Sequence, residues 1–210
     1  MSTRTSTSYA VLGLLALGPK TGYEIVQGHA RSVGQIGSRT ESVLYAEPKR
    51  LVEDGLAVAT DEQRGKRTVA VYSITDEGHD ALRRWLAEPS AFPVLDAEPI
   101  VRAVFSDQGD LEQLRATLTG FRAGAAARLS VLADIGEEYL LRRGLYQERF
   151  HITMLTGRFV GDLMEAYIRW CDWALEAIDA WPDDTAGRHA WAEAAITAWL
   201  EGIGRTPPRP

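Results

Sequence analysis

The chain has 210 residues, 45% hydrophobic and 25% charged, enough for one or two small domains with real cores and too apolar for wholesale disorder. Its formal net charge of −6 is unevenly spread: residues 1–90 carry 11 basic and 11 acidic side chains, residues 91–210 carry 12 and 18. Any nucleic-acid surface is therefore a local patch on the first half, because the chain as a whole repels phosphates.

The first apolar run, 9–19, follows Arg4 and so imitates a signal peptide, but no small-residue cleavage site follows it. It is also far short of the roughly 20 residues a membrane span needs. The expectation is a buried helix over 8–17 in a soluble, cytoplasmic protein, with Ser8 as N-cap and Val11, Leu12, Leu14 and Leu15 buried. Gly18-Pro19 stops it, and a second helix opens after Thr21 with Tyr23, Ile25 and Val26 on its apolar side. After glycines at 34 and 37, a third helix is predicted over 38–54, ended by Gly55. The period then changes: 56–62 and 68–74 read as strands, the second carrying Val69, Val71, Tyr72 and Ile74. The segment 63–67 between them has a central glycine and predicts an antiparallel hairpin. Thr75 caps a fourth helix running to about residue 87, with Asp76 and Glu77 in its first turn. Pro89 and Pro93 mark a linker.

Three helices, a two-stranded wing and a helix are the order of a winged helix-turn-helix domain, here over 1–90. After the linker the chain reads as almost wholly helical: a short helix over 98–105, then two long ones from about 110 and over 147–181. Their seams repeat every three or four residues, Leu111, Leu114, Leu118, Phe121, Ala125, Leu129 and Leu132 on one, and Phe150, Met154, Gly157, Gly161, Met164, Ile168, Cys171, Leu175 and Ile178 on the other. Apolar residues beyond one seam, including Tyr167, Trp170 and Trp173, predict a homodimerisation domain over 91–183. A final amphipathic helix over 187–203 and a frayed tail complete the segment 184–210. The fold class is mainly α, a winged helix-turn-helix with a two-stranded β wing plus a C-terminal helical dimerisation domain. Dimerisation also meets a need of the first domain, since two reading helices about 34–36 Å apart select a palindrome where one cannot select a genomic site.

The run from Tyr9 to Pro19, followed by Thr21-Gly22-Tyr23-Glu24-Ile25, resembles the opening of the PadR family of bacterial transcriptional regulators. Ser42-Val43-Leu44-Tyr45, Lys49-Arg50-Leu51 and Gly55-Leu56 resemble its recognition-helix segment. The stretch from Val71 to Gly78, ending in Leu82-Arg83-Arg84-Trp85-Leu86, resembles its second wing strand and fourth helix. The resemblance implies a winged-helix homodimer that represses genes, often with an effector releasing it from the operator. One departure is Pro48, where many members carry leucine. A proline inside a helix loses a hydrogen bond and clashes with the preceding turn, so the helix either kinks or breaks in two near Ala46-Glu47; a kink is expected, because Leu51 and Val52 continue the apolar face beyond it.

DNA binding requires cations near phosphates and short polar groups near base edges. The proposed reading segment offers Ser38, Arg39, Thr40, Glu41, Ser42, Tyr45, Lys49 and Arg50. Arg39 suits a bidentate grip on guanine, worth about 1–3 kcal/mol of discrimination. Thr40 and Ser42 suit a base contact, or a phosphate through their backbone N–H groups. Glu41 reads as a cytosine acceptor or a capping carboxylate, and Tyr45 as a DNA contact or a packing residue against the first helix. Arg64, Lys66 and Arg67 place three cations at an exposed hairpin tip, suited to phosphate or the minor groove, or to protecting a sheet edge. Tyr23 either presents its hydroxyl to the DNA backbone or is buried.

Five of six tryptophans fall in the last 41 residues, and Trp170 and Trp173 suit a small, flat apolar effector if they do not simply pack. A single cysteine, Cys171, excludes an internal disulfide and reads as a buried small hydrophobe. The four histidines lack metal-ligand spacing, so no metal and no cofactor are expected. No phosphate loop, nucleophile elbow or paired catalytic motif is present, so the chain reads as a binder of double-stranded DNA and not an enzyme. A winged-helix module for protein–protein interaction is the rival, drawing on Glu41, Glu47 and Pro48 within the reading helix.

Overall fold

The structure, a computed structural model, describes residues 4–31, 34, 40–94 and 97–206. It forms two compact units, residues 1–95 with 134–160 and residues 96–133 with 161–210. Each element follows from its local chemistry. Helix α1 (Ser6–Ala16) is opened by Thr5, whose hydroxyl accepts from the Ser8 N–H while Ser8 Oγ accepts from the Thr5 N–H. Ser8, predicted as the cap, is thus the inner partner of a capping box, and the helix starts two residues earlier than expected.

Strand β1 (Lys20–Thr21) leads directly into α2 (Gly22–Ala30). Helix α3 (Glu41–Glu53) runs through Pro48 without breaking. The missing N–H costs one hydrogen bond to Leu44, but the ring is fully buried among the face formed by Leu44, Glu47 and Leu51. Gly55 adopts φ +74 and turns the chain into β2 (Ala57–Arg64), which pairs with β3 (Arg67–Ile74). The loop is only Gly65-Lys66, with φ +65 at the glycine, the arrangement of a tight II′ hairpin turn. Gln63, Arg64 and Arg67, expected in the turn, therefore belong to the strands. β1 pairs with the other edge of β3, so the predicted two-stranded wing gains a short third strand in the order β1-β3-β2.

Helix α4 (Asp76–Ala87) is capped by Thr75, whose hydroxyl accepts from the Gly78 N–H at 3.0 Å and donates to the Gly55 carbonyl at 2.8 Å. Val11, Leu12, Leu14 and Leu15 of α1, Ile25 of α2, Leu51 of α3, Leu56, Tyr72 and Ala81 form one core. Each large aliphatic side chain buried there stabilises the domain by about 1.5–3 kcal/mol. Tyr9 stacks on Trp85 at 4.6 Å and ties α4 to α1.

The later helices are α5 (Glu98–Val104), α6 (Leu111–Leu140), α7 (Phe150–Ala180) and α8 (Thr185–Gly202). In the second unit α6 and α7 run antiparallel, joined by Arg115–Asp179 and Arg122–Asp172 ion pairs, each at 2.5 Å, over a core of Leu114, Leu118, Ala174 and Ile178. Tyr167 and Trp170, expected to lie beyond the seam, instead pack against Phe121 of α6 at 5.0 and 6.3 Å. Leu111 and Met154, expected within the seams, are exposed. Helix α8 is not amphipathic in the expected sense. Trp191 meets Trp173 and Trp181, while Ile196, Trp199 and Ile203 lie exposed on another side. No helix among the described residues is long and apolar enough to cross a membrane.

Candidate nucleic-acid interface

Helix α3 has two sharply different faces. Leu44, Glu47, Pro48 and Leu51 are buried, and on the opposite side Ser42, Tyr45 and Lys49, spaced by three and four residues, form an exposed stripe. Thr40 is the N-cap, extended in backbone and making no side-chain cap bond; its hydroxyl instead lies 3.0 Å from Ser42 Oγ. Thr40, Glu41 and Ser42 thus present a polar, exposed helix start. Ser38 and Arg39 lie outside the described residues. Lys49 is exposed, and Arg50 is exposed beside Glu47 at 3.7 Å.

Tyr45 has a neighbour that spacing did not suggest. Its ring lies against Gly22 at the start of α2, where a Cβ would come within 3.1 Å of Tyr45 Cδ1. The ring thus packs at the start of α2, and it remains 42% exposed. Tyr23, the next residue of α2, is 63% exposed and not buried in the three-helix core. Gly22 thus lets two tyrosines, one on each helix, stand at the same end of the helix pair.

The wing cations differ from one another. Lys66 and Arg67 are exposed and make no ion pair among the described residues. Arg64 Nη1 donates to Glu24 Oε1 of α2 at 3.0 Å, and Arg64 Nε lies 3.7 Å from Glu62 Oε2. Glu24 Oε2 accepts from the Thr21 N–H at 2.7 Å and from Thr21 Oγ1 at 2.9 Å. The backbone N–H of Thr21 and, next, Arg64 pull the Glu24 carboxyl down to about 2, from an ordinary 4.5, against the opposing effect of burial. The hydrogen bond to Glu24 and, next, the carboxylate's charge in turn raise Arg64 above the usual guanidinium value.

Sequence reasoning missed this bridge, since its ends are 40 residues apart. It also missed Lys20, buried in β1 with its ammonium 5.1 Å from the centre of the Tyr146 ring, and the Arg31–Glu138 ion pair. Glu47, counted toward a protein-binding surface, is 5% exposed and belongs to the packed face of α3. The tryptophans proposed for an effector diverge: Trp170 packs into the α6–α7 core, and Trp173 is 53% exposed beside Trp191. Cys171 is buried, which pushes its thiol upward, consistent with a packing residue.

Residues 11–84 match the transcriptional regulator PadR-like family, and residues 97–179 match the virulence activator alpha C-terminal family. Over residues 11–84 the chain is thus a PadR-like transcriptional regulator. It is a winged-helix DNA-binding regulator. The negative transcriptional regulator PadR of Bacillus subtilis is 28% identical, the match covering 70% of this chain and 92% of that protein. The crystal structure of Bacillus subtilis PadR in complex with operator DNA superposes with a TM-score of 0.67 at 25% identity, covering 83% of this chain and 99% of that one. Its complex with p-coumaric acid gives a TM-score of 0.61 at 25% identity, covering 82% and 98%. Helix α8 lies beyond both family matches.

Proposed function

We propose that this PadR-like regulator is a repressor that binds a palindromic operator as a homodimer and is released from it by a small apolar effector. The observation that carries the DNA contact is the exposed Ser42–Tyr45–Lys49 stripe opposite the buried face of α3, together with the exposed Tyr23 of α2 and the exposed wing cations Lys66 and Arg67. In this reading Ser38, Arg39, Thr40, Glu41, Ser42 and Tyr45 approach base edges, Tyr23, Lys49 and Arg50 approach phosphates, and Lys66 and Arg67 follow the backbone from the wing. Two copies supply the two half-sites. Repression and release rest on the Bacillus subtilis relative, a negative regulator solved with operator DNA and with p-coumaric acid. For the effector, Trp173 offers a half-exposed indole face beside Trp191, with Trp170 one turn away on α7.

Selection of bound fragments from a genomic library tests the reading. The expected result is a shared two-fold symmetric motif lying upstream of genes. No enrichment over random fragments, or an asymmetric motif bound by one copy, would contradict it. Transcription from such a promoter is expected to rise when the gene is deleted. Addition of an aromatic acid is expected to weaken binding and to change tryptophan fluorescence.

A further inference from the structure

The outer part of the hairpin overhangs the rest of the fold. Pairing with β1 ends at Thr21↔Val71, and four further rungs, from Asp61↔Ala70 to Arg64↔Arg67, extend beyond it. At 3.3 Å per residue that is an overhang of roughly 13 Å. Residues 61–68 are all exposed. Among the described residues, a single hydrogen-bonded ion pair leaves this overhang for another element, and it is Arg64 to Glu24 at its last rung.

Glu24 is itself fixed. Its side chain and that of Thr21 complete the capping box of α2, so one carboxylate oxygen is held by the helix start and the other is turned to the wing. Thr21 is also a residue of β1. The cap, the sheet edge and the wing tip thus meet through one side chain.

We propose that Glu24 is a positioning residue for DNA binding: by holding Arg64 it fixes where the wing tip, with Lys66 and Arg67, stands relative to α2 and its exposed Tyr23. The inference rests on the proposed contacts of the wing with DNA. An exposed ion pair contributes little to stability by itself. Its effect here comes from its place, at the end of a lever whose other attachments are at the base. A swinging tip still meets phosphates of any duplex, but it meets them in register with α3 less often. Losing the tie therefore lowers the preference for operator over random DNA more than it lowers general affinity.

The test uses the full chain as wild type, E24Q, R64M and the double variant. Glutamine keeps an oxygen for the Thr21 N–H but turns a donor toward Arg64, so the cap stays and the tie is lost. Methionine keeps the aliphatic stem of Arg64 without its donors. Affinity is measured for the highest-affinity fragment from the selection above and for a random duplex of equal length, across a salt series at a temperature well below Tm. The expected result is that each single variant lowers the operator-to-random ratio by about two- to fivefold, the range of an exposed ion pair. The double variant loses no more than the worse single one, and the salt slopes stay unchanged.

An unchanged ratio in E24Q, or losses that add in the double variant, would overturn the proposal. So would tighter binding of E24Q to both duplexes with a steeper slope, which would make Glu24 a competing anion. A slope shallower by about 0.9 in R64M would make Arg64 a phosphate contact instead of a tie. If the wild type binds no duplex, the DNA-binding reading fails and this inference with it. If the wild type binds and the variants match it, only this inference fails.

Discussion

A Cβ added at Gly78 would lie 2.2 Å from the Leu56 carbonyl oxygen and 2.7 Å from Ile74 Cγ1. Helix propensity alone favours alanine in the first turn of α4, but the close crossing over the end of the hairpin reverses that preference. Gly78→Ala is therefore expected to destabilise the chain by about 1–3 kcal/mol, read by urea unfolding; a stabilised variant would show that the crossing relaxes freely. Glu24 yields a second expectation, in pH. Its folded pKa of about 2 lies below its ordinary 4.5, so its contribution is full above pH 4.5 and is lost as pH falls toward 2. The unfolding free energies of the wild type and E24Q are expected to differ at pH 6 and to converge near pH 2.5. A gap independent of pH would remove the carboxylate charge from the account. The start of α2 after Thr21 and the cap at Thr75 were legible because cap residues act on donors two or three positions away. The reasons for Gly78 and for the Glu24–Arg64 bridge were not, because their partners come from elements distant in sequence.

At the scale of elements, the hairpin was legible from its change of period, from 3.6 to 2, and from the glycine between the strands. Strand β1 was not, since two residues carry no period and pair only because β3 is already there. Helix α3 was legible as a helix, with a kink expected at Pro48 and a break as the alternative, and it does not break. The proline's cost of roughly 3 kcal/mol gave no sign that burial of its ring beside Leu44 and Leu51 would offset it. The wing's exposed cations lead to a prediction about slope. K66A combined with R67A is expected to weaken binding to every duplex and to lower the slope of log K against log salt by about two, one for each phosphate contact. An unchanged slope would remove the wing tip from the interface.

For the whole molecule, the unsettled quantity is the apolar surface one chain leaves in water. Seam patterning left open whether α6 and α7 pack on each other; the ion pairs Arg115–Asp179 and Arg122–Asp172 show that within the second unit they do. It did not show how much of each seam the single chain would cover, because period reports direction and not partner. Leu155 is 75% exposed and Phe159 53% exposed on α7, and Leu140 and Leu141 are exposed at the end of α6. A monomer rarely leaves such residues together without a partner. Light scattering at micromolar concentration is expected to give twice the 23.1 kDa chain mass. L155E with F159E is expected to shift that mass toward one chain and to weaken operator binding. A mass of one chain for the wild type would contradict the dimer.

The central claim is that exposed polar residues of α3 and the cationic wing tip bind double-stranded DNA. A titration of the purified chain against duplex DNA at low ionic strength, repeated as salt is raised, tests it most directly. The account predicts binding that weakens steeply with salt and that survives at higher salt for one fragment over random sequence. No affinity for any duplex at low ionic strength would contradict it.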